Sequence, residues 1–322
     1  MQAPADWIAT RCAVCGETGG RPLFPIDHRD APAGRTFLVR CDGCGLRRLD
    51  PRPSQDTVAR YYAAATGFNA YAGRRRGPAQ QALWNALRDG LAAPLGQSVA
   101  GRALRPMTRP IARWLFDINV PLEGRTGLRV LEVGSGFGDL LVYLQARGCD
   151  VLGTDPSPSA AAKARGYGVE VRVGVLRELA LPAAHFDVAV MNHSLEHLPD
   201  PNDELAEVAR LLTPRGHLHV AVPNGDAVRL RLDEAAWEHL STPLHYWFFD
   251  AGSLTRLLER HGFRLLAPPM TTTRHHALRS WRTAWRRLGV VVATRQLSRF
   301  LVASYATRGG GDVLRIVAER RA

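Results

Sequence analysis

Lysine is nearly absent from this chain: of 42 basic residues, only Lys163 is not arginine. Genomic base composition accounts for such a bias without any appeal to guanidinium chemistry, so it excludes nothing by itself. Also missing is any run approaching the roughly 18 uncharged apolar residues of a membrane span. The opening MQAPADWIAT has neither the basic nor the apolar region of a signal peptide. A soluble, cytoplasmic chain is therefore expected. Acidic residues are absent between Arg260 and Gly311, where ten arginines fall, so that stretch supplies +10 of the formal charge of +12. The basicity is local and does not imply a chain-wide nucleic-acid surface. Five cysteines in 322 residues are too few for a disulfide-dense miniprotein. Hydrophobic residues at 46% and charged residues at 22% exclude disorder over most of the length, and one large or two unequal domains are expected.

Four of the five cysteines form two knuckles, Cys12-x-x-Cys15-Gly16 and Cys41-x-x-Cys44-Gly45, separated by 25 residues. Two such pairs can place four thiolates around one Zn²⁺, and a glycine after the second cysteine lets backbone amides turn toward sulfur. A pair of disulfides or four unrelated thiols is the alternative; with no export signal, zinc is the stronger reading. A site with four protein ligands has no open position, so the metal is expected to be structural. Residues 1–50 are thus read as a zinc-ribbon-like module. Cys149 precedes an apolar run and reads as an ordinary buried thiol.

Residues 51–124 change character, with helical segments broken by glycine and proline: SQDTVARYYAAA, QQALWNALRDGLAA and RPIARWLFDINV. Ser54 is a plausible N-cap, and the segment is expected to form a helical lid or linker. From residue 125 onward, apolar strand-like runs alternate with helical ones: LRVLEVG, GDLLVYLQARG, DVLGTD, SAAAKARGYG, VEVRVG, FDVAVMN, DELAEVARLLTP and GHLHVAVPN. That alternation predicts an α/β, Rossmann-like doubly wound fold with a mostly parallel seven-stranded sheet over 125–322.

Between the first strand and its helix lies Glu132-Val133-Gly134-Ser135-Gly136-Phe137-Gly138-Asp139. Gly134 and Gly136 permit a tight turn at which a ligand can meet bare backbone. A dinucleotide fingerprint starting at Gly134 would need glycine at 139, where Asp139 stands, so a pyrophosphate ligand is disfavoured. Asp155 ends the second strand nineteen residues after Gly136, where a carboxylate can accept both ribose hydroxyls of an adenosine.

The runs LRVLEVGSGFGDLL, LGTDPSPSA, FDVAVMNHSLEHLPDP and LLTPRGHLHVAVPN, in this order, resemble class I S-adenosylmethionine (SAM)-dependent methyltransferases across about 200 residues. The upstream segment CAVCG…LVRCDGCGLRRLDPRPSQDTVARYY resembles the zinc-knuckle extension of one bacterial branch of these enzymes, often encoded among polysaccharide or small-molecule pathways. The resemblance implies that Gly134 and Gly136 line the methionine moiety and that Glu132 steadies the loop or the amino group. It also implies that Asp155 holds the ribose and that Met191, Asn192 and His193 face the sulfonium. Many relatives carry an acidic residue after the third strand; this chain reads Gly174-Val175-Leu176-Arg177-Glu178, and its adenine contact is left unassigned.

Methyl transfer from a sulfonium is an in-line displacement, in which the protein positions donor and acceptor and, for a hydroxyl or acidic carbon, removes a proton. Histidine suits that task because its unperturbed pKa is about 6.5. His193, directly after FDVAVMN, and His245, within Trp237-Glu238-His239-Leu240-Ser241-Thr242-Pro243-Leu244-His245-Tyr246-Trp247-Phe248-Phe249, are the candidate bases. The alternative for His245 is a backbone hydrogen bond among aromatics that close the core. Glu196-His197 could act in chemistry or pack the loop.

Enzymes that methylate exocyclic base amines resemble one another in an Asn/Asp-Pro-Pro-aromatic turn, whereas this chain has Asn192-His193-Ser194-Leu195. Nucleic acid is disfavoured accordingly, and RNA is the runner-up acceptor. Within residues 274–308, Trp281, Trp285 and Leu288 share one helical face and Arg279, Arg282 and Arg286 another, which predicts a basic amphipathic helical insert. It reads as a solvated lid, a contact to anionic membrane, or a dock for phosphate groups. The expected function is methyl transfer from SAM to a small molecule, such as a sugar or a polysaccharide-pathway intermediate. A noncatalytic SAM-fold binding module is the contrasting class.

Overall fold

The computed structural model describes residues 7–26, 36–58, 126–272 and 309–322. The basic insert at 274–308 lies outside the described residues, as does the helical lid beyond residue 58. The chain divides into two compact units. The knuckle unit comprises 1–59, 193–205 and 220–319, and the loop unit 60–192, 206–219 and 320–322.

In the knuckle unit, β1 (Trp7–Ile8) pairs antiparallel with β5 (Arg52–Pro53), and β2 (Gly20–Ile26), β3 (Thr36–Cys41) and β4 (Arg47–Asp50) form an antiparallel ribbon. The two Cys-x-x-Cys turns lie at one end of that ribbon. Gly16 and Gly45 take φ of 81° and 80°, and their amides donate to the Cys12 and Cys41 carbonyls at 2.9 and 3.0 Å. A residue with a Cβ resists that left-handed backbone, which is why glycine follows each knuckle. Arg48 is fully buried in the ribbon, donating from Nε to the Thr10 carbonyl (2.8 Å) and from Nη2 to the Thr18 carbonyl (2.6 Å).

In the loop unit, β6 (Arg129–Val133), β7 (Asp150–Asp155), β8 (Val171–Val173) and β9 (Phe186–Asn192) pair parallel in the order β9-β6-β7-β8. The near-continuous apolar runs of the inner strands β6 and β9 fit strands covered on both faces. Helix α1 (Asp139–Gln145) buries Leu140 through Leu144 in the core with Val130, Val151, Val188 and Val190. Helix α2 (Pro158–Arg165) starts where sequence rules place it: Ser157 caps the Ala160 amide and Pro158 takes the first position. Helix α3 (Pro201–Leu211) and β10 (Leu212–Pro223) contribute residues to both units.

The remaining elements of the knuckle unit are helix α4 (Val228–Asp233), β11 (Trp247–Phe248), helix α5 (Ala251–Arg260), β12 (Phe263–Leu265), β13 (Met270–Thr272) and β14 (Val313–Arg320). Helix α5 opens with a capping box between Asp250 and Ser253 and buries Leu254, Leu257 and Leu258 on one face. The expected Rossmann-like fold is present, with a mixed sheet of mostly parallel strands. Among the described residues this sheet has eight strands, because β13 folds back antiparallel on β14. Strand β11 pairs antiparallel with β4, Trp247 opposite Arg48, and extends the ribbon with a segment about 200 residues downstream.

Candidate active site

The glycine turn after β6 is held from the end of β7. Gly134 and Ser135 donate their amides to the Thr154 carbonyl at 2.8 and 3.0 Å, and Gly136 donates to Asp155 Oδ2 at 2.9 Å. The other carboxylate oxygen of Asp155 accepts the Ser157 amide at 2.9 Å. Gly134, Gly136 and Gly138 all have positive φ, at 72°, 54° and 75°. A Cβ at Gly136 would meet no atom within 4 Å, so the turn faces open space there. Phe137 lies under the ammonium of Lys163, 4.3 Å from the ring centroid.

Two of the expected cofactor residues are polar groups buried at strand ends. Glu132 is buried, and its Oε2 has no hydrogen-bond partner; burial pushes its carboxyl well above the usual carboxylate range, assisted by Asp139 and Asp155. The buried Oδ1 of Asn192 likewise has no hydrogen-bond partner. Buried polar atoms of this kind cost free energy unless a ligand satisfies them. Open space over Gly136, a held Asp155 and orphaned atoms on Glu132 and Asn192 fit a small polar cofactor bearing an amino acid end and an adenosine. Gly153 is a residue that sequence reasoning missed. A Cβ there would stand 2.5 Å from Ser135 Oγ and 2.6 Å from Leu141 Cδ1, so its absence lets the turn close. The signal was a glycine inside the strand DVLGTD, the usual mark of a close backbone approach.

The candidate histidines His193 and His245 lie in the knuckle unit, together with His197 and His239. His193 has φ of +56°, and its amide donates to the Ala221 carbonyl at 2.8 Å. Its Nδ1 lies 3.2 Å from Oε1 of the fully buried Glu196. The hydrogen bond from His193 holds the Glu196 carboxyl below its ordinary value in spite of burial. His245 is buried, and its Nδ1 lies 2.8 Å from the His239 carbonyl, so Nδ1 carries the proton. Burial, with His197 beside it, depresses His245 to about 3. The rings of His197 and His245 meet edge to face at 4.4 Å, and Trp237 donates Nε1–H to Asp312 at 3.1 Å.

The four cysteine sulfurs lie within 4.8 Å of one another. Cys12 and Cys44 are 3.4 Å apart, as are Cys15 and Cys41. Soft donors converging on one point from two knuckles fit a single tetrahedral divalent ion. Helix α5 clamps these turns: Arg260 donates to the Val14 and Ala13 carbonyls at 2.7 Å, and Arg256 donates to the Cys44 carbonyl at 2.9 Å. Arg260 also reaches Asn202, which donates to Ala13 at 3.2 Å.

Residues 100–267, about half of the chain, match the family described as "Methyltransferase domain". A protein of Mycolicibacterium smegmatis described as "Probable S-adenosylmethionine-dependent methyltransferase" is 36% identical over 141 residues, 43% of this chain and 53% of that protein. The ubiquinone biosynthesis O-methyltransferase of Alkalilimnicola ehrlichii is 38% identical over 104 residues, 30% of this chain and 42% of that protein. The chain thus spans about half the length of the curated relatives it matches. Among solved structures, a chain from the complex of the Haloferax volcanii Trm112 methyltransferase activator with a methyltransferase superposes with a TM-score of 0.50. It shares 19% identity, over 73% of this chain and 98% of that one, which is a likeness of fold. Among the described residues, no helix is long and apolar enough to cross a membrane.

Proposed function

The chain belongs to this methyltransferase-domain family, and from that premise we propose that it transfers a methyl group from SAM to a small-molecule acceptor. The observation that carries the reading is Asp155, which ends β7 and fixes Gly136 beside open space. A carboxylate offers about four acceptor positions, so two amides and a ribose diol are compatible on one side chain. The open backbone at Gly134 and Gly136 would take the methionine moiety, and Glu132 and Asn192 would satisfy their orphaned atoms on its polar end. SAM supplies the activated methyl group; the residues bind and orient it.

Ubiquinone-biosynthesis O-methyltransferases among the relatives support a small acceptor bearing a hydroxyl, and a sugar hydroxyl is one such group. For the proton we assign His193. Glu196 holds its Nδ1, which selects Nε2 as the accepting nitrogen. His245, the other candidate, is neutral and too weak a base to compete. We further propose that Cys12, Cys15, Cys41 and Cys44 hold a structural Zn²⁺. The reading is tested by calorimetric titration with SAM, followed by methyl-labelled SAM added to fractionated cell extract. Binding with label in the low-molecular-mass fraction is expected; absence of binding, or label confined to RNA, overturns it.

A further inference from the structure

Glu196, His197 and His245 each offer a ligand atom, and these atoms lie within 4.8 Å of one another. We propose that this trio is a second metal site, distinct from the four cysteines, which takes a divalent first-row transition ion through two imidazoles and one carboxylate.

The donor atoms are set up for this role. The Nδ1–H of His245 is committed to the His239 carbonyl at 2.8 Å, which turns Nε2 into the lone-pair nitrogen. A backbone carbonyl behind a ligating imidazole is the usual way in which proteins fix its tautomer and direction. Glu196 is split in the same manner: Oε1 is 3.2 Å from His193 Nδ1, while the buried Oε2 has no hydrogen-bond partner. A buried carboxylate oxygen with no hydrogen-bond partner is costly to keep, and a cation bound to it would remove that cost. The chain bends to bring the trio together. The 3-10 turn Leu195–His197 places two ligands in adjacent positions, and the Tyr246 amide donates to the Glu196 carbonyl at 2.9 Å, tying the third ligand's neighbour to the first.

Ligand chemistry separates this site from the thiolate cluster. Two histidines and a carboxylate suit Zn²⁺, Fe²⁺ or Co²⁺, and three protein ligands leave a position for water or a deprotonated hydroxyl. The inference rests on these side chains alone and stands whether or not the methyl-transfer reading does.

Co²⁺ is the probe. The full chain, stripped with a chelator under reducing conditions, is dialysed against Co²⁺, total cobalt is measured by plasma mass spectrometry, and thiolate-bound cobalt by its sulfur-to-metal charge-transfer absorption. Wild type is expected to hold one more cobalt per chain than the charge-transfer band accounts for. His245→Ala and Glu196→Gln should each lose that ion with the band unchanged. A measurement on wild type alone guards against variants that fail to fold: the His245 Nδ1–H, protected by the His239 carbonyl, should give a paramagnetically shifted proton resonance in H₂O that vanishes in D₂O. Cobalt that is entirely thiolate-bound, with no shifted exchangeable resonance, overturns the proposal.

Discussion

Asp155 accepts the Gly136 amide at 2.9 Å, joining the end of β7 to the turn that follows β6. One carboxylate therefore shapes the loop through Gly136 and Ser157 and, in the proposed function, holds the ribose. Asp155→Ala should raise the SAM dissociation constant roughly 5- to 150-fold, equivalent to about 1–3 kcal/mol, because charge-assisted hydrogen bonds to ligand and loop disappear together. Gly136→Val should be worse, since its φ of +54° penalises a branched side chain whose Cβ enters the open space. Calorimetry decides both; unchanged affinity in Asp155→Ala removes the assignment.

Gly153→Ala tests the packing beneath that loop. Its methyl would stand 2.5 Å from Ser135 Oγ and 2.6 Å from Leu141 Cδ1, closer than atoms can remain. The loop or α1 must shift, at a cost of about 1–3 kcal/mol. A lowered melting midpoint together with weakened SAM binding is expected, and a variant that matches wild type in both would show that the turn does not depend on this close approach.

Much of this was legible in the sequence for identifiable reasons. Alternating apolar and helical runs announced the parallel sheet because its strands are buried on both faces, and the spacing of Gly136 and Asp155 follows from one strand, one helix and the next strand. Gly153 was legible in principle, as a glycine inside a strand. The β11 pairing with β4 was not, since two residues have no period and their partner is about 200 positions away. The His245 contact to the His239 carbonyl was open as an alternative, but a backbone acceptor leaves no mark on composition. His193 could be placed after its strand, whereas its grip by Glu196 depends on a left-handed backbone at 193, a conformation uncommon for any residue with a side chain.

Glu132 makes stability depend on pH. Its folded-state pKa lies well above the ordinary 4.5, through burial first and through Asp139 and Asp155 second. The folded state therefore binds the proton more tightly than the unfolded chain does. The resulting stabilisation is fully present below about 4.5 and is lost as pH rises toward and through the raised value. Glu132→Gln carries no such titration, so the difference in melting temperature, variant minus wild type, should grow as pH rises from below about 4.5. Melting curves that stay parallel across that range would contradict the assignment of a neutral acid.

Removing the metal from the cysteines should be felt beyond the ribbon. Arg256 and Arg260 of α5 donate to carbonyls inside the two knuckles, so those turns and the helix support one another. Cys12→Ser is expected to release one Zn²⁺ per chain and to raise amide exchange in β2–β4, in β11 and along α5. Metal-free protein with unchanged exchange in all of these would leave the four thiols without a structural ion.

His193 is the residue on which the chemistry turns. If its imidazole takes the acceptor's proton, His193→Ala should lower kcat about 10²- to 10⁴-fold toward the acceptor identified by labelling, with SAM affinity nearly unchanged. Glu196→Gln keeps the side-chain shape but loses the charge on Nδ1, so it should lower kcat by a smaller factor, again without moving SAM affinity. Added imidazole should restore part of the turnover of His193→Ala and none of that of Glu196→Gln, because only the former leaves a cavity where a free base can stand. Full turnover by His193→Ala would transfer the explanation to positioning alone, with an acceptor already nucleophilic enough to attack unaided.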